Sequence, residues 1–589
     1  MKYINKLITS TILCLLLVGC SAKATTTTAS STNDTSSSTA STTVSTQTTT
    51  TIAVEFNALD LNTTYDAATV ENITLKETSI AYTGTSAAVK GTTITIIADG
   101  EYYITGTLND GQIIIDAGND AKVHLFFENV ALTHKDGSAL VISNADKTVI
   151  TLIEGSVSTV ADGSTYAATG TADPDAVIYA KDDLTFNGTG TLNVNGNYSN
   201  GIHGTNDIKL VSGTINVTTK TDGIKGKDSV SIKDATINIT ATGDGIQSSN
   251  AEEDGKGFIY VEGGAVTIKS GLDGIQAETQ VLISGGTLNI NSGNSVSADD
   301  SGKGIKAVLD LSIAGGTINV VSTDDSLHTN GTMTVAAGTL SLSSGDDGMH
   351  ADKTLTINGG NITIIKSYEG IESANIVING GEIHLTSSDD GLNTSAATST
   401  TSSGNKGGMS SDDGSTLTIT GGLISINANG DGLDSNGTFK MSGGNVIVFG
   451  PTGNQNGSID YNGSFTLTGG TLLAVGSSGM AQQASSADIN SVLFNTSSIA
   501  ADTLVAIVNS KGELIIAFKT VKSASSVVFA SKTLVKGSYT VYTGGSISSA
   551  LSNQITTDGT YTKGTQLLTF TVSSTLTAVG SSNGGQQKK

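Results

Sequence analysis

Tryptophan and arginine are missing from this chain, and proline and cysteine are nearly so, with two of each in 589 residues. Without arginine, all 30 basic residues are lysines, and the formal net charge is −23. A nucleic-acid binder needs a basic face to displace condensed counterions, so that class is excluded. Charged residues make up 14%, well under the roughly 25% of ordinary globular domains. No long stretch carries the 3.6-residue apolar period of an amphipathic helix. What fills the chain instead is glycine, 72 residues of it, with Thr, Ser, Val, Ile and Asn. That mixture suits half-buried strands joined by tight corners.

The two cysteines have separate fates. Lys2 and Lys6 precede an apolar run from Ile8 to Val18, too short for a membrane span of about 20 residues. The run ends Leu17-Val18-Gly19-Cys20, which resembles a bacterial lipobox. Cys20 is therefore the expected lipidation site and membrane anchor, and Cys14 lies in the segment removed. A single remaining cysteine makes no internal disulfide, so stability rests on the β-core. Residues 21–52 are almost entirely Ser, Thr and Ala and read as a flexible tether. The expected location is the outer cell surface.

A repeat dominates the middle of the chain. Its corner reads Asn200-Gly201-Ile202, Asp222-Gly223-Ile224, Asp244-Gly245-Ile246 and Asp273-Gly274-Ile275, then Lys303-Gly304-Ile305, Asp325-Ser326-Leu327, Asp347-Gly348-Met349, Glu369-Gly370-Ile371, Asp390-Gly391-Leu392 and Asp431-Gly432-Leu433. The apolar members lie 22, 22, 29, 30, 22, 22, 22, 21 and 41 residues apart. A Gly-Gly marker at 285–286, 315–316, 359–360, 380–381, 421–422 and 443–444 keeps the same register. Each unit holds three short alternating runs, such as Thr354-Leu355-Thr356-Ile357. The expectation is an all-β, right-handed parallel β-helix over 175–480, with coils of about 22 residues and three strands each. An N-terminal β region over 53–174, which includes the start of the β-helix, and a small C-terminal β module over 481–589 would cap it. The long spacings imply inserted loops, the largest at 394–414.

The acidic corners carry the chemistry. Asp-Gly makes good turns, which suffices for isolated copies such as Asp222 and Asp244. The acids crowd later, at Asp324-Asp325, Asp346-Asp347, Glu369, Asp389-Asp390 and Asp431. Carboxylates about 5 Å apart repel by about 3 kcal/mol at an effective dielectric of 20. Calcium takes oxygen ligands at about 2.3–2.6 Å, so two opposed ligands span about one strand spacing. Calcium is the expected cofactor of this edge; zinc prefers His and Cys. His328 and His350 fall one unit apart, as metal-site neighbours, sugar hydrogen-bonders or solvated ladder residues.

The series Lys-Gly-Ile-Lys (303–306), Asp-Asp-Ser-Leu-His (324–328), Asp-Asp-Gly-Met-His-Ala (346–351), Tyr-Glu-Gly-Ile-Glu-Ser (368–373), Ser-Asp-Asp-Gly-Leu-Asn (388–393) and Asp-Gly-Leu-Asp-Ser-Asn-Gly (431–437) resembles a family of bacterial carbohydrate-binding-domain proteins. That family is similar in fold to calcium-dependent pectate lyases. The resemblance covers residues 75–480. It implies binding of acidic plant polysaccharide such as polygalacturonate, with calcium held by Asp324, Asp325, Asp346, Asp347, Glu369, Glu372, Asp389, Asp390, Asp431 and Asp434. Ser326, where neighbouring corners have Gly, departs from the pattern. Lys303, Lys306, His328, His350 and Tyr368 are the substrate-binding candidates, and no catalytic residue is assigned. Lacking Trp, the chain offers no flat tryptophan platform for cellulose. Two rival classes stay open: a uronide lyase with Lys303 or Lys306 as base, and a passive adhesin or spacer.

Overall fold

A computed structural model describes residues 52–167, 174–294, 301–396 and 412–580. Cys20, nearly all of the Ser/Thr tract and residues 397–411 of the largest insertion lie outside the described residues. No helix among the described residues is long and apolar enough to cross a membrane.

The protein is all-β among these residues apart from one short helix, Ala58–Leu61. The unit at 224–240 shows how it is built. Its three strands are Ile224–Gly226, Ser229–Ile232 and Thr236–Thr240. Each pairs in parallel with its counterpart one repeat later, Ile224 with Ile246, Val230 with Ile259 and Ile237 with Val266. Three parallel ladders result, here called the corner, middle and Thr-Asn ladders. They belong to one 48-stranded sheet.

Alternation decides what faces inward. Ile224, Val230, Ile232 and Ile237 are fully buried in one continuous apolar cluster, while Thr236, Asn238 and Thr240 between them are exposed. Each fully buried Val or Ile contributes about 1.5–3 kcal/mol, so the stacked columns carry the stability that no disulfide supplies. On the outside, Asn216 donates to Asn193, Asn238 to Asn216 and Asn319 to Asn289, each at 2.9 Å.

The Gly-Gly marker has a backbone cause. Its second member has φ of +87° at Gly286, +91° at Gly316, +95° at Gly360 and +91° at Gly381, a left-handed conformation that a Cβ disfavours.

The ladders begin earlier than the strict repeat. The corner ladder runs back through Leu140–Asn144 and Gln112–Asp116 to Thr93–Ile96. Loops of unequal length between these strands hide the period in the sequence. At the other end, Ala524–Ala530 lies antiparallel on Thr471–Gly476, which closes the parallel series. A five-stranded antiparallel sheet comes next, and its Val505, Ile507, Phe518, Val541 and Phe570 share a second core with Ile447, Phe449, Leu473 and Val475 of the last ladder strands. Ahead of the first strand, Glu71–Glu77, residues 55–66 form a strap against the middle-ladder side of the early repeats.

Candidate functional site

The corner acids prove to have a structural duty that turn propensity alone does not describe. One carboxylate oxygen of Asp222, Asp244, Asp273, Asp325 and Asp390 accepts the backbone N–H of the next corner. Asp222 accepts from Asp244 at 3.0 Å, Asp244 from Asp273 at 2.9 Å, and Asp273 from Lys303 at 2.7 Å. The relay resumes from Asp325 to Asp347 at 3.0 Å and from Asp390 to Asp431 at 2.6 Å. A short side-chain acceptor at this position ties each repeat to its successor.

The second oxygen meets an inner column, one residue past each apolar corner member and three past the acid. In register this column reads His203, Lys225, Gln247, Gln276, Lys306, His328, His350, Glu372, Asn393, Asp434 and Asp460. Its early members answer the acids. Lys225 lies 3.7 Å from Asp222, Gln247 donates to Asp244 at 2.8 Å, and Lys306 lies 3.7 Å from Asp273. His328 sits 2.7 Å from Asp325 and His350 2.9 Å from Asp347. The two imidazoles stack with centroids 5.0 Å apart.

Two of three acidic clusters therefore contain their own cation. In the Asp324, Asp325 and Asp346 cluster, the Lys303 ammonium sits 2.9 Å from Asp324 and 2.8 Å from Asp325. Burial opposes the charge of Lys303, but the two carboxylates outweigh it and raise its pKa. Asp325 is correspondingly held low against its burial by His328 and Lys303. In the Asp347, His350 and Glu372 cluster, burial would lower His350, yet hydrogen bonds to both carboxylates carry it up to about 11. His350 is an imidazolium at neutral pH and holds Glu372 below its ordinary value.

The third cluster, Asp390, Asp431 and Asp434, has carboxylate oxygens all within 4.8 Å of one another. Among the described residues, no ammonium or imidazolium pairs with it, nor with Glu369 or Asp460. Here the inner column has changed from Lys and His to acceptors. Burial, reinforced by the neighbouring carboxylates, pushes Glu369 up to about 8, Asp390 to about 6, Asp431 to about 7 and Asp434 to about 8. Asn393, only 8% exposed, donates to Glu369 at 2.8 Å, while its Oδ1 is buried without a partner. An orphaned acceptor beside three carboxylates is a donor set of oxygens alone, and it fits calcium.

Beside this stretch, Tyr368 is 48% exposed. Its backbone lies between Asp346 and Asp389, donating to one and accepting from the other. The Asp389 carboxylate raises its phenol pKa. The structure thus gathers Glu369, Tyr368, Asp389, Asp390, Asp431 and Asp434 along one edge and places Lys303, Lys306 and His350 in ion pairs, and His328 in a hydrogen bond to Asp325, earlier on it. Asn393 and Asp460 went unnoticed in sequence because neither is part of a doubled acid. Alignment on Leu392 and Ile459, the apolar corner residues just before them, would have revealed both.

The raised carboxyls set a pH dependence. Unfolded carboxyls titrate near 4, so the fold binds these protons more tightly, and stability falls as pH rises from about 4 to 8. The metal-free chain is expected to lose denaturation midpoint between pH 5 and pH 8. That loss should shrink in Asp431→Asn/Asp434→Asn. A loss of equal size in parent and variant would show that other groups cause it.

A repeated β-scaffold with an oxygen-lined acidic edge beside an exposed tyrosine defines a protein built to hold a ligand along its surface. A family model for the carbohydrate-binding domain-containing protein matches residues 90–348 and 346–391, and the chain belongs to that family. A carbohydrate-binding domain-containing protein of Acetivibrio thermocellus is 42% identical over 202 residues, covering 34% of this chain and 71% of that protein. The solved gadolinium derivative of a polysaccharide lyase-like protein from C. thermocellum is 29% identical, with a TM-score of 0.38, covering 45% of this chain and 96% of that one.

Proposed function

We propose that this protein is a surface lipoprotein, anchored through Cys20, that binds acidic polysaccharide of the polygalacturonate type with calcium at its late corner acids. The observation that carries the reading is the change in the inner column from Lys306, His328 and His350 to Glu372, Asn393 and Asp434. From there on, the repeats keep the acid and lose its cation. Calcium would supply the bridge between protein carboxylates and sugar carboxylates along an edge that otherwise repels them. Asp390, Asp431 and Asp434, with Asn393 Oδ1, are the residues that hold it; Glu369 and Asp389 flank them, and Tyr368 offers a ring to a sugar face. Three parallel ladders around one apolar cluster support a closed, right-handed parallel β-helix as the scaffold. The lyase reading is disfavoured by Lys303, whose ammonium is held protonated between two aspartates and makes a poor base.

The test is retention on polygalacturonate. Retention should fall to background with a chelator, return with added calcium, and be strongly reduced in Tyr368→Ala. Retention indifferent to the chelator would remove calcium from the account.

A further inference from the structure

A carboxylate already occupies a second polar site, toward the opposite end of the ladder series. Asp60 of the N-terminal strap is fully buried. Its carboxylate pairs with Lys147, lies 3.2 Å from the Lys209 ammonium, and accepts from Thr185 at 2.7 Å. Asn187 donates to the strap carbonyls of Asp60 at 2.9 Å and Asn62 at 2.7 Å. Lys209 also donates to the Glu55 carbonyl at 2.7 Å, and the Phe56 ring lies under Lys209 and Lys233, at 5.8 and 5.0 Å. Beside it opens a cavity of about 440 Å³, walled by strap residues Asn57, Ala58 and Leu59 and reaching the same Lys147 and Lys209.

Charge decides what this arrangement can do. With Asp60 seated, the two ammoniums are answered. With the strap lifted, Lys147 and Lys209 lose the carboxylate that pairs with both. Asp146, paired with Lys122 at 3.8 Å, and Asp183 also stand on the cavity wall. A carboxylate that took the place of Asp60 would meet the same two ammoniums and so compete with the strap for them. Thr185 and Asn187 are hydrogen-bond donors in place for the oxygens flanking such a carboxylate.

We propose that residues 55–62 are an exchangeable latch, and that Lys147, Lys209, Thr185 and Asn187 form a second, calcium-independent binding site for the carboxylate of a uronate residue. The sugar class rests on the acidic-polysaccharide reading; the carboxylate site itself does not. The experiment is chemical rescue of full-length Asp60→Ala, with Asp60→Asn as the milder variant, in chelator throughout. Sodium formate should recover at least half of the lost melting temperature, where sodium chloride of equal ionic strength does not. Oligogalacturonate should bind Asp60→Ala at least about tenfold more tightly than the parent, and Lys147→Met in that background should abolish the gain. Formate and chloride acting alike would overturn the site. Tighter binding of an acidic peptide than of oligogalacturonate would overturn the sugar assignment. Because chelator is present, loss of calcium-dependent retention in the parent bears only on the late corner acids.

Discussion

Asp434→Lys should abolish the calcium response of this protein while raising its stability in the absence of metal. Position 434 lies in the inner column that holds Lys225 and Lys306 in earlier repeats, each 3.7 Å from a corner carboxylate. A lysine there would place an ammonium among Asp390, Asp431 and Glu369, doing for the late repeats what lysine does for the early ones. Like charges about 5 Å apart cost about 3 kcal/mol at an effective dielectric of 20, so removing one and adding its opposite is a large change. Ligand at a hundredfold its Kd stabilises the native state by about 2.7 kcal/mol, and that increment should vanish. Asp434→Asn, which removes charge without supplying a cation, should fall between parent and Asp434→Lys. Calorimetric titration and denaturation midpoints with and without calcium make the comparison. Calcium bound by Asp434→Lys with parental affinity would place the ion elsewhere.

Gly381→Val is expected to be the most damaging single change at a corner of the Thr-Asn ladder. Gly381 has φ of +91°, and a Cβ there would stand 3.0 Å from the Gly360 carbonyl oxygen. A left-handed residue with a side chain costs about 1–2 kcal/mol, and a β-branched one is a genuine outlier. Crowding against a fixed carbonyl adds about 1–3 kcal/mol more. Its neighbour makes the control. Gly380 is the first member of the marker, and Ala337 stands at the equivalent place before Gly338 in an earlier repeat. A Cβ at Gly380 would stand 2.6 Å from the Asn358 carbonyl oxygen, but at an ordinary φ and at a place that Ala337 already fills, so Gly380→Ala should be milder than Gly381→Val in urea midpoint. Equal losses would mean that space, and not backbone conformation, rules the corner.

Much of this scaffold was legible because the repeat writes it twice, in the acidic corner and in Gly-Gly. The apolar members Ile224 to Leu433 pair in register as their spacing implied. The early strands near Ile113 and Leu140 fall in the 53–174 start of the β-helix, but loops of unequal length hide their register in the ladder. The site was legible only in part. Acid content marks where carboxylates crowd, but cannot tell which are already answered. Lys303 looks free in sequence, yet it lies between Asp324 and Asp325. Asn393 looks inert, yet its buried oxygen lacks a partner. Pairing across repeats depends on side-chain direction, which periodicity does not encode.

The corner ladder is also electrically lopsided along its length. Lys225, Lys303, Lys306 and His350 come before Glu369, while Glu369, Glu372, Asp390, Asp431, Asp434 and Asp460 come after them with no cation interspersed among the described corner positions. Taken with the early acids Asp222, Asp273, Asp325 and Asp347, each of which faces a lysine or histidine, the corner ladder grades from answered carboxylates to unanswered ones. Along an anionic polymer its repulsion would rise from one end to the other, and divalent ions at the late corners would flatten that gradient.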